Sequence, residues 1–249
     1  MHRCGPRTGC RPSELRDDLV SPLTTTDPAQ AVAGIEDGST ILVGGFGMAG
    51  MPVELIDALI VQGASDLTIV SNNAGNGDTG LAALLGAGRV RKVICSFPRQ
   101  VDSYIFDGLY RAGKLELELV PQGNLAERMR AAGAGIGAFF CPTAVGTLLA
   151  EGKETRVIDG RTYVLEYPIR GDYALISAET ADAAGNLVYR RTARNFGPVM
   201  ATAARQTIVQ VRRTVPLGGI DPEVVVTPGI YVRRVLDLSG NTTTDSGAR

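Results

Sequence analysis

At 249 residues, 44% of them apolar, the chain has material for a well-buried core in one large α/β domain or two small ones. Its 25 Lys and Arg nearly cancel its 26 Asp and Glu, so no basic field argues for nucleic acid or an anionic membrane as partner. No apolar run approaches the roughly 18 residues of a membrane span, and charges and prolines fill the first twenty residues, where a signal peptide carries its apolar segment.

Met1 to Ser21, rich in Arg, Pro, Gly and Cys and without periodicity, reads as a flexible extension or an early start codon. His2, Cys4 and Cys10 lack a familiar ligand spacing and a fourth partner, so no metal site is expected. From Asp27 onward strand and helix patterns alternate, which predicts a mostly parallel sheet with covering helices. Ser39–Val43 predicts a strand, Gly44–Pro52 a sharp turn, and Pro52–Ile60 a helix that ends at Gly63. Four glycines among residues 44–50 let the backbone approach a ligand. With Pro52 and Glu54 in the first helical turn, this predicts an anion cradle at a helix N-terminus.

Further on, Leu67–Val70 reads as a strand that ends in Ser71-Asn72-Asn73, followed by helical spacing at Leu81–Leu85 and the apolar run Val93-Ile94-Cys95. Cys95 reads as a small buried hydrophobe, and free thiols suit a reducing cytoplasm. Leu115, Leu117 and Leu119 alternate with charged residues as a strand with one wet face. Asn124, three residues before Glu127, predicts an N-cap for a helix through Ala132. Residues 133–147 read as a loop that contacts substrate or a partner chain. Asp159-Gly160 between β-favouring runs predicts a type I′ hairpin over Val157–Leu165. Strands are expected at Ala174–Ile176, Leu187–Tyr189, Gln206–Val211 and Tyr231–Leu236. The expected division is an extension over 1–23, one α/β domain with a β-rich insertion over 24–238, and a disordered tail over 239–249.

Gly45-Phe46-Gly47-Met48-Ala49-Gly50 fits the glycine spacing of a dinucleotide fold, but that fold wants an acidic residue after the next strand, and Ser71-Asn72-Asn73 supplies none. The fuller string Asp37 to Pro52, with its core Gly44-Gly45-Phe46, resembles the first signature of the family I coenzyme A transferases. Ser71–Gly75, Pro121–Arg128, Pro142–Thr147 and Ala193-Arg194-Asn195-Phe196 follow in the order found in the A (α) subunits of the 3-oxoacid transferases of that family, and the likeness covers roughly residues 27–238. The resemblance implies an open, mostly parallel α/β sheet. It also implies transfer of CoA from succinyl-CoA to a 3-oxo acid, with 3-oxoadipate from aromatic breakdown ahead of acetoacetate.

The sole histidine, His2, lies in the extension, so no Ser-His-Asp or Cys-His pair assembles in the ordered core. Carboxylates, amides, glycine N–H groups and arginines remain, an inventory suited to positioning and charge stabilisation. In the resembled family the nucleophile is a glutamate in a Ser-Glu-Asn-Gly motif on the B subunit, and this chain has no such motif. The expectation is therefore a shared site in a hetero-oligomer, A2B2, whose B subunit carries the catalytic glutamate. By resemblance Gln122 gives an oxyanion-hole amide, and Gly44, Gly45, Phe46, Gly47, Met48, Ala49 and Gly50 line the approach of CoA, with Asn72 and Asn73 beside them. Coenzyme A enters as part of a thioester substrate, and no separate cofactor is expected. Arg99, Arg128, Arg191 and Arg194 are candidates for the distal carboxylate of a dicarboxylate acceptor. The competing classes are a ligand-sensing domain, disfavoured by the lack of a helix-turn-helix or basic segment, and an NAD-dependent dehydrogenase.

Overall fold

The computed structural model describes residues 21–240. Of the expected extension over 1–23, residues 1–20, with His2, Cys4 and Cys10, lie outside the described residues, as does the expected tail beyond 240, whereas Leu23 already opens a strand. The main sheet is built from β1 (Leu23–Thr25), β2 (Thr40–Val43), β3 (Leu67–Val70), β4 (Val90–Cys95), β5 (Glu116–Leu119), and, after an excursion, β9 (Gly171–Asp182), β11 (Ala204–Val215) and β12 (Val232–Asp237). Their order is β1-β12-β11-β9-β2-β3-β4-β5, all parallel, with the short β10 (Leu187–Val188) antiparallel on β9. A parallel sheet covered on both faces needs apolar residues on both sides of each central strand. Accordingly Ile41 and Val43 of β2 enter one core and Leu42 the other.

The first core is roofed by α1 (Pro28–Val32), α2 (Val53–Gln62), α3 (Leu81–Gly86) and α4 (Tyr104–Arg111), through Leu55, Ile56, Leu59, Leu84 and Phe106. The second lies under α5 (Gln122–Gly133) and α6 (Gly197–Ala203), through Leu125, Met129 and Met200. Asp27 caps α1, its side chain accepting from Ala29 N at 2.9 Å. From β2 the chain steps outward to β5, whereas from β9 it steps the opposite way through β11 to β12. The neighbours β2 and β9 therefore mark the reversal in strand order, where open parallel sheets bind ligands beyond their carboxyl ends.

The β-rich insertion is a three-stranded antiparallel sheet, β6 (Phe139–Cys141), β8 (Arg161–Glu166) and β7 (Thr155–Ile158), in the order β6-β8-β7. Its hairpin is the expected type I′ turn, with φ of 48° at Asp159 and 75° at Gly160. Several sequence readings change. β6 lies inside the stretch read as a loop. α5 begins at Gln122 with Pro121 at its N-cap, so Asn124 sits in the first turn, where its side chain donates to Glu166 Oε1 at 3.1 Å. Pro52 caps α2 from outside the helix. Strands β9 and β11 also run far beyond the apolar cores that announced them, because each is paired along most of its length with the other. Leu238, placed at the edge of the expected tail, still bonds Val211 O through its N–H at 2.9 Å. Among the described residues no helix is long and apolar enough to cross a membrane.

Candidate functional site at the carboxyl edge of the sheet

The residues that the sequence singles out gather at one edge. Gly44–Met51 leaves β2, Asn72 and Asn73 leave β3, Ser96 and Phe97 leave β4, and Pro121-Gln122 leaves β5. In a parallel sheet these are all carboxyl ends, so strand order alone brings four separate loops together.

The glycine loop folds back on itself through reciprocal backbone bonds between Phe46 and Ala49, 3.0 and 3.2 Å. This leaves Phe46 and Met48 half exposed on its tip. Asn195 holds the loop from the far side, its Oδ1 accepting from Gly45 N at 3.2 Å and its Nδ2 donating to Ala49 O at 2.8 Å. Gly50 is required by proximity as well as by its φ of 73°, since a Cβ there would lie 2.3 Å from Ala193 O. The sequence marks Ala193–Phe196 as a motif without a task, and the contact with the glycine loop supplies one.

The anion cradle is placed differently from the sequence expectation. At the start of α2, Leu55 N donates to Gln210 Oε1 at 3.2 Å, and Gln210 Nε2 bonds the Glu54 carboxylate. A side chain of β11 thus already occupies that helix terminus. The open N-terminus at this edge belongs to α5. Its first three residues, Gln122, Gly123 and Asn124, have N–H groups with no intrahelical acceptor, at the positive end of the helix dipole.

Gln122 stands at that terminus, and its side chain is fixed. Nε2 donates to Asn72 Oδ1 at 2.6 Å, and the same oxygen accepts from Ser96 Oγ at 2.9 Å. One Nε2 hydrogen is thereby committed to Asn72, and the second remains for a ligand. Asn72 is itself 3% exposed, and its backbone oxygen accepts from Ser96 N and Phe97 N at 3.2 and 3.0 Å. Asn73 turns inward instead, its Oδ1 accepting from Gly75 N at 2.9 Å. Its Nδ2 and the Ser71 hydroxyl are buried without a hydrogen-bond partner among the described residues. The structure therefore brings Gln122 and Asn72 together directly, with Asn73 supporting the loop after β3. Cys95, just before this group, is removed from nucleophilic chemistry: burial pushes its thiol up to about 12, against a smaller pull from the Phe97 N–H.

Behind Gln122, Arg128 on the next turns of α5 donates to Glu118 at 3.1 Å and to Tyr167 O at 2.7 Å, and lies 3.8 Å from Glu166. Lys153 bonds the buried Glu166 at 2.8 Å, and Lys92 bonds Glu118 at 2.7 Å. Burial raises the Glu118 carboxyl, but the bonds from Lys92 and Arg128 outweigh it and leave the group below its ordinary value. Arg128 is thus committed to joining α5, β5 and the small sheet. Arg99 pairs with Asp107 at 2.5 Å. Arg191 and Arg194 flank the backbone that meets Gly50, and among the described residues neither has a carboxylate partner. Desolvation pushes the phenol of the half-buried Tyr189 up to about 12, against smaller lowering effects from its hydrogen bond with Thr227 and then from the charge of Arg194.

A profile of the family described as coenzyme A transferase matches residues 25–238. The chain is 70% identical over 212 residues to the A subunit of 3-oxoadipate CoA-transferase from Pseudomonas putida, covering 85% of this chain and 92% of that one. It is 65% identical to the protein of the same name from Acinetobacter baylyi, over 84% of this chain and 92% of that one. The A subunit of a succinyl-CoA:3-ketoacid coenzyme A transferase from Helicobacter pylori is 48% identical, over 84% and 90%. Among solved structures, the acyl-CoA transferase of E. coli O157:H7 in its thioester complex with CoA superposes with a TM-score of 0.79 at 23% identity, over 92% of this chain and 49% of that one. The chain thus spans about half the length of that structure. Glutaconate coenzyme A-transferase of Acidaminococcus fermentans superposes with a TM-score of 0.74 at 22% identity, over 85% and 74%. At such identities the likeness speaks for the fold.

Proposed function

The chain belongs to the coenzyme A transferase family, and on that basis we propose that it is the A subunit of a transferase that moves CoA from succinyl-CoA to 3-oxoadipate. The observation that carries the mechanism is the Gln122 amide, locked by Asn72 at the open N-terminus of α5. A side-chain N–H and the backbone N–H groups of the exposed Gln122 and Gly123 there suit an oxygen that gains negative charge as a thioester carbonyl is attacked. The chain has no Ser-Glu-Asn-Gly motif to attack with, so a B subunit provides the glutamate, in an A2B2 assembly in the cytoplasm.

In this reading the partner's carboxylate adds to the succinyl-CoA carbonyl, the C–S bond breaks, and an acyl-glutamyl anhydride and CoA thiolate result. The thiolate adds to the glutamyl carbonyl and succinate leaves, giving a glutamyl thioester. The 3-oxoadipate carboxylate then repeats the sequence in reverse. Both half-reactions pass through tetrahedral oxyanions, and Gln122 serves each. Coenzyme A acts as substrate, with no further cofactor. The glycine loop lines its approach, and Arg191 and Arg194 are the candidates left to meet a second carboxylate. Acetoacetate as acceptor is the second reading, supported by the relatives named succinyl-CoA:3-ketoacid transferases. Assaying the chain alone and combined with a B chain carrying Ser-Glu-Asn-Gly tests the scheme: transfer is expected only in the combination, and full turnover by the isolated chain overturns it.

A further inference from the structure

Asn195 takes no part in that scheme, yet it makes more hydrogen bonds to the glycine loop than any other side chain among the described residues. We propose that Asn195 is a positioning residue that holds the loop in the one conformation in which it receives the acyl-CoA; the inference rests on the reading that this loop meets substrate. A segment with four glycines among seven residues has little conformational preference of its own, so its order has to come from outside. One carboxamide provides it. Oδ1 accepts from Gly45 N at 3.2 Å and from Phe196 N at 2.7 Å, while Nδ2 donates to Ala49 O at 2.8 Å and Thr192 O at 2.9 Å.

The loop bonds hold Gly45, just before the Phe46–Ala49 turn, and Ala49, its last residue, and the other two anchor the amide in its own segment. The neighbouring Ala193 carbonyl closes on Gly50, where no Cβ fits. Arg191, at the start of the same turn, adopts φ of 50°, a left-handed conformation that a non-glycine residue keeps where the surroundings enforce it. Only asparagine offers an acceptor and a donor at this reach. Aspartate keeps the shape and the acceptor but turns an oxygen toward the Ala49 and Thr192 carbonyls.

The test compares wild type, Asn195→Ala and Asn195→Asp, each assembled with the B chain, by amide exchange over residues 44–51 and by succinyl-CoA kinetics. Tyr173→Phe, which removes a 2.7 Å bond to Gly34 O at the opposite edge of the sheet, is the control. Faster exchange of the loop, with β2 unchanged, is expected in both Asn195 variants, together with a fall in kcat of about tenfold or more, since small misplacements of reacting groups are costly. Aspartate is expected to retain more protection at Gly45 than at Ala49, and the control to retain wild-type kcat. Unchanged loop exchange overturns the clamp, and looser exchange with kcat within about twofold of wild type overturns its role in transfer. Wild-type assemblies that bind acyl-CoA but transfer nothing would instead refute the functional reading on which the inference stands.

Discussion

At the scale of single residues, the proposed site depends on a fixed amide direction, which the bond from Gln122 Nε2 to Asn72 Oδ1 provides. Gln122 is solvent-exposed, and an unbound glutamine there would lose side-chain entropy on meeting a ligand. Asn72, buried and held by Ser96, removes most of that loss before substrate arrives. Gln122→Ala is expected to lower kcat on the order of 100-fold while leaving the melting temperature nearly unchanged; a loss below about fivefold would remove Gln122 from the oxyanion site. Asn72→Ala should lose less, because it acts only through Gln122. A second residue-scale effect concerns acid. Glu118 has a folded-state pKa below its ordinary value of 4.5, so its contribution to stability is complete above that value and is lost as pH falls through the lowered one. The difference in melting temperature between wild type and Glu118→Gln should therefore be constant near neutrality and shrink as the pH falls below the ordinary value of 4.5. A difference that grows on acidification would contradict the assignment.

Elements behave as their local sequence asks where the partner is near in the chain, and otherwise as the sheet asks. The β7–β8 hairpin closes over two residues, and Gly160 has φ of 75° with open space around its Cα. Gly160→Ala meets no clash there, and its cost is conformational, about 1 kcal/mol. In a domain of this size that lowers the melting temperature by about 2–4 °C, measurable by circular dichroism. An unchanged or raised value would mean that the turn is not held in its I′ form. Helix α2 shows the opposite dependence. Its first turn has the expected Glu54, but Gln210, 155 residues from Leu55, takes the amide that the sequence had offered to an anion. The anion-favouring terminus is consequently that of α5.

For the whole molecule, the carboxyl edge has an apolar rim, and in the proposed scheme it is half of a shared site. Phe46 and Met48 on the loop after β2 and Phe97 after β4 are 53, 54 and 60% exposed, a surface that the proposed B subunit would cover. Met48 should then oxidise readily with hydrogen peroxide in the isolated chain and resist it in the assembly, whereas Met129 and Met200, fully buried, should resist in both. Equal oxidation of Met48 in an active assembly would place the partner elsewhere. By itself the sequence determined the alternation of strands and helices, the parallel sheet, the I′ hairpin and the motifs that name the family, because periodicity, turn chemistry and a continuous glycine signature are written in neighbouring residues. Only the tertiary structure decided which helix terminus stays open, that Asn195 grips the glycine loop, that Arg128 is spent on Glu118 and Glu166, and how far β9 and β11 extend. Each of these depends on a hydrogen-bonding or strand-pairing partner distant in the chain, and such a partner is chosen by the order of strands in the sheet, which no local pattern contains.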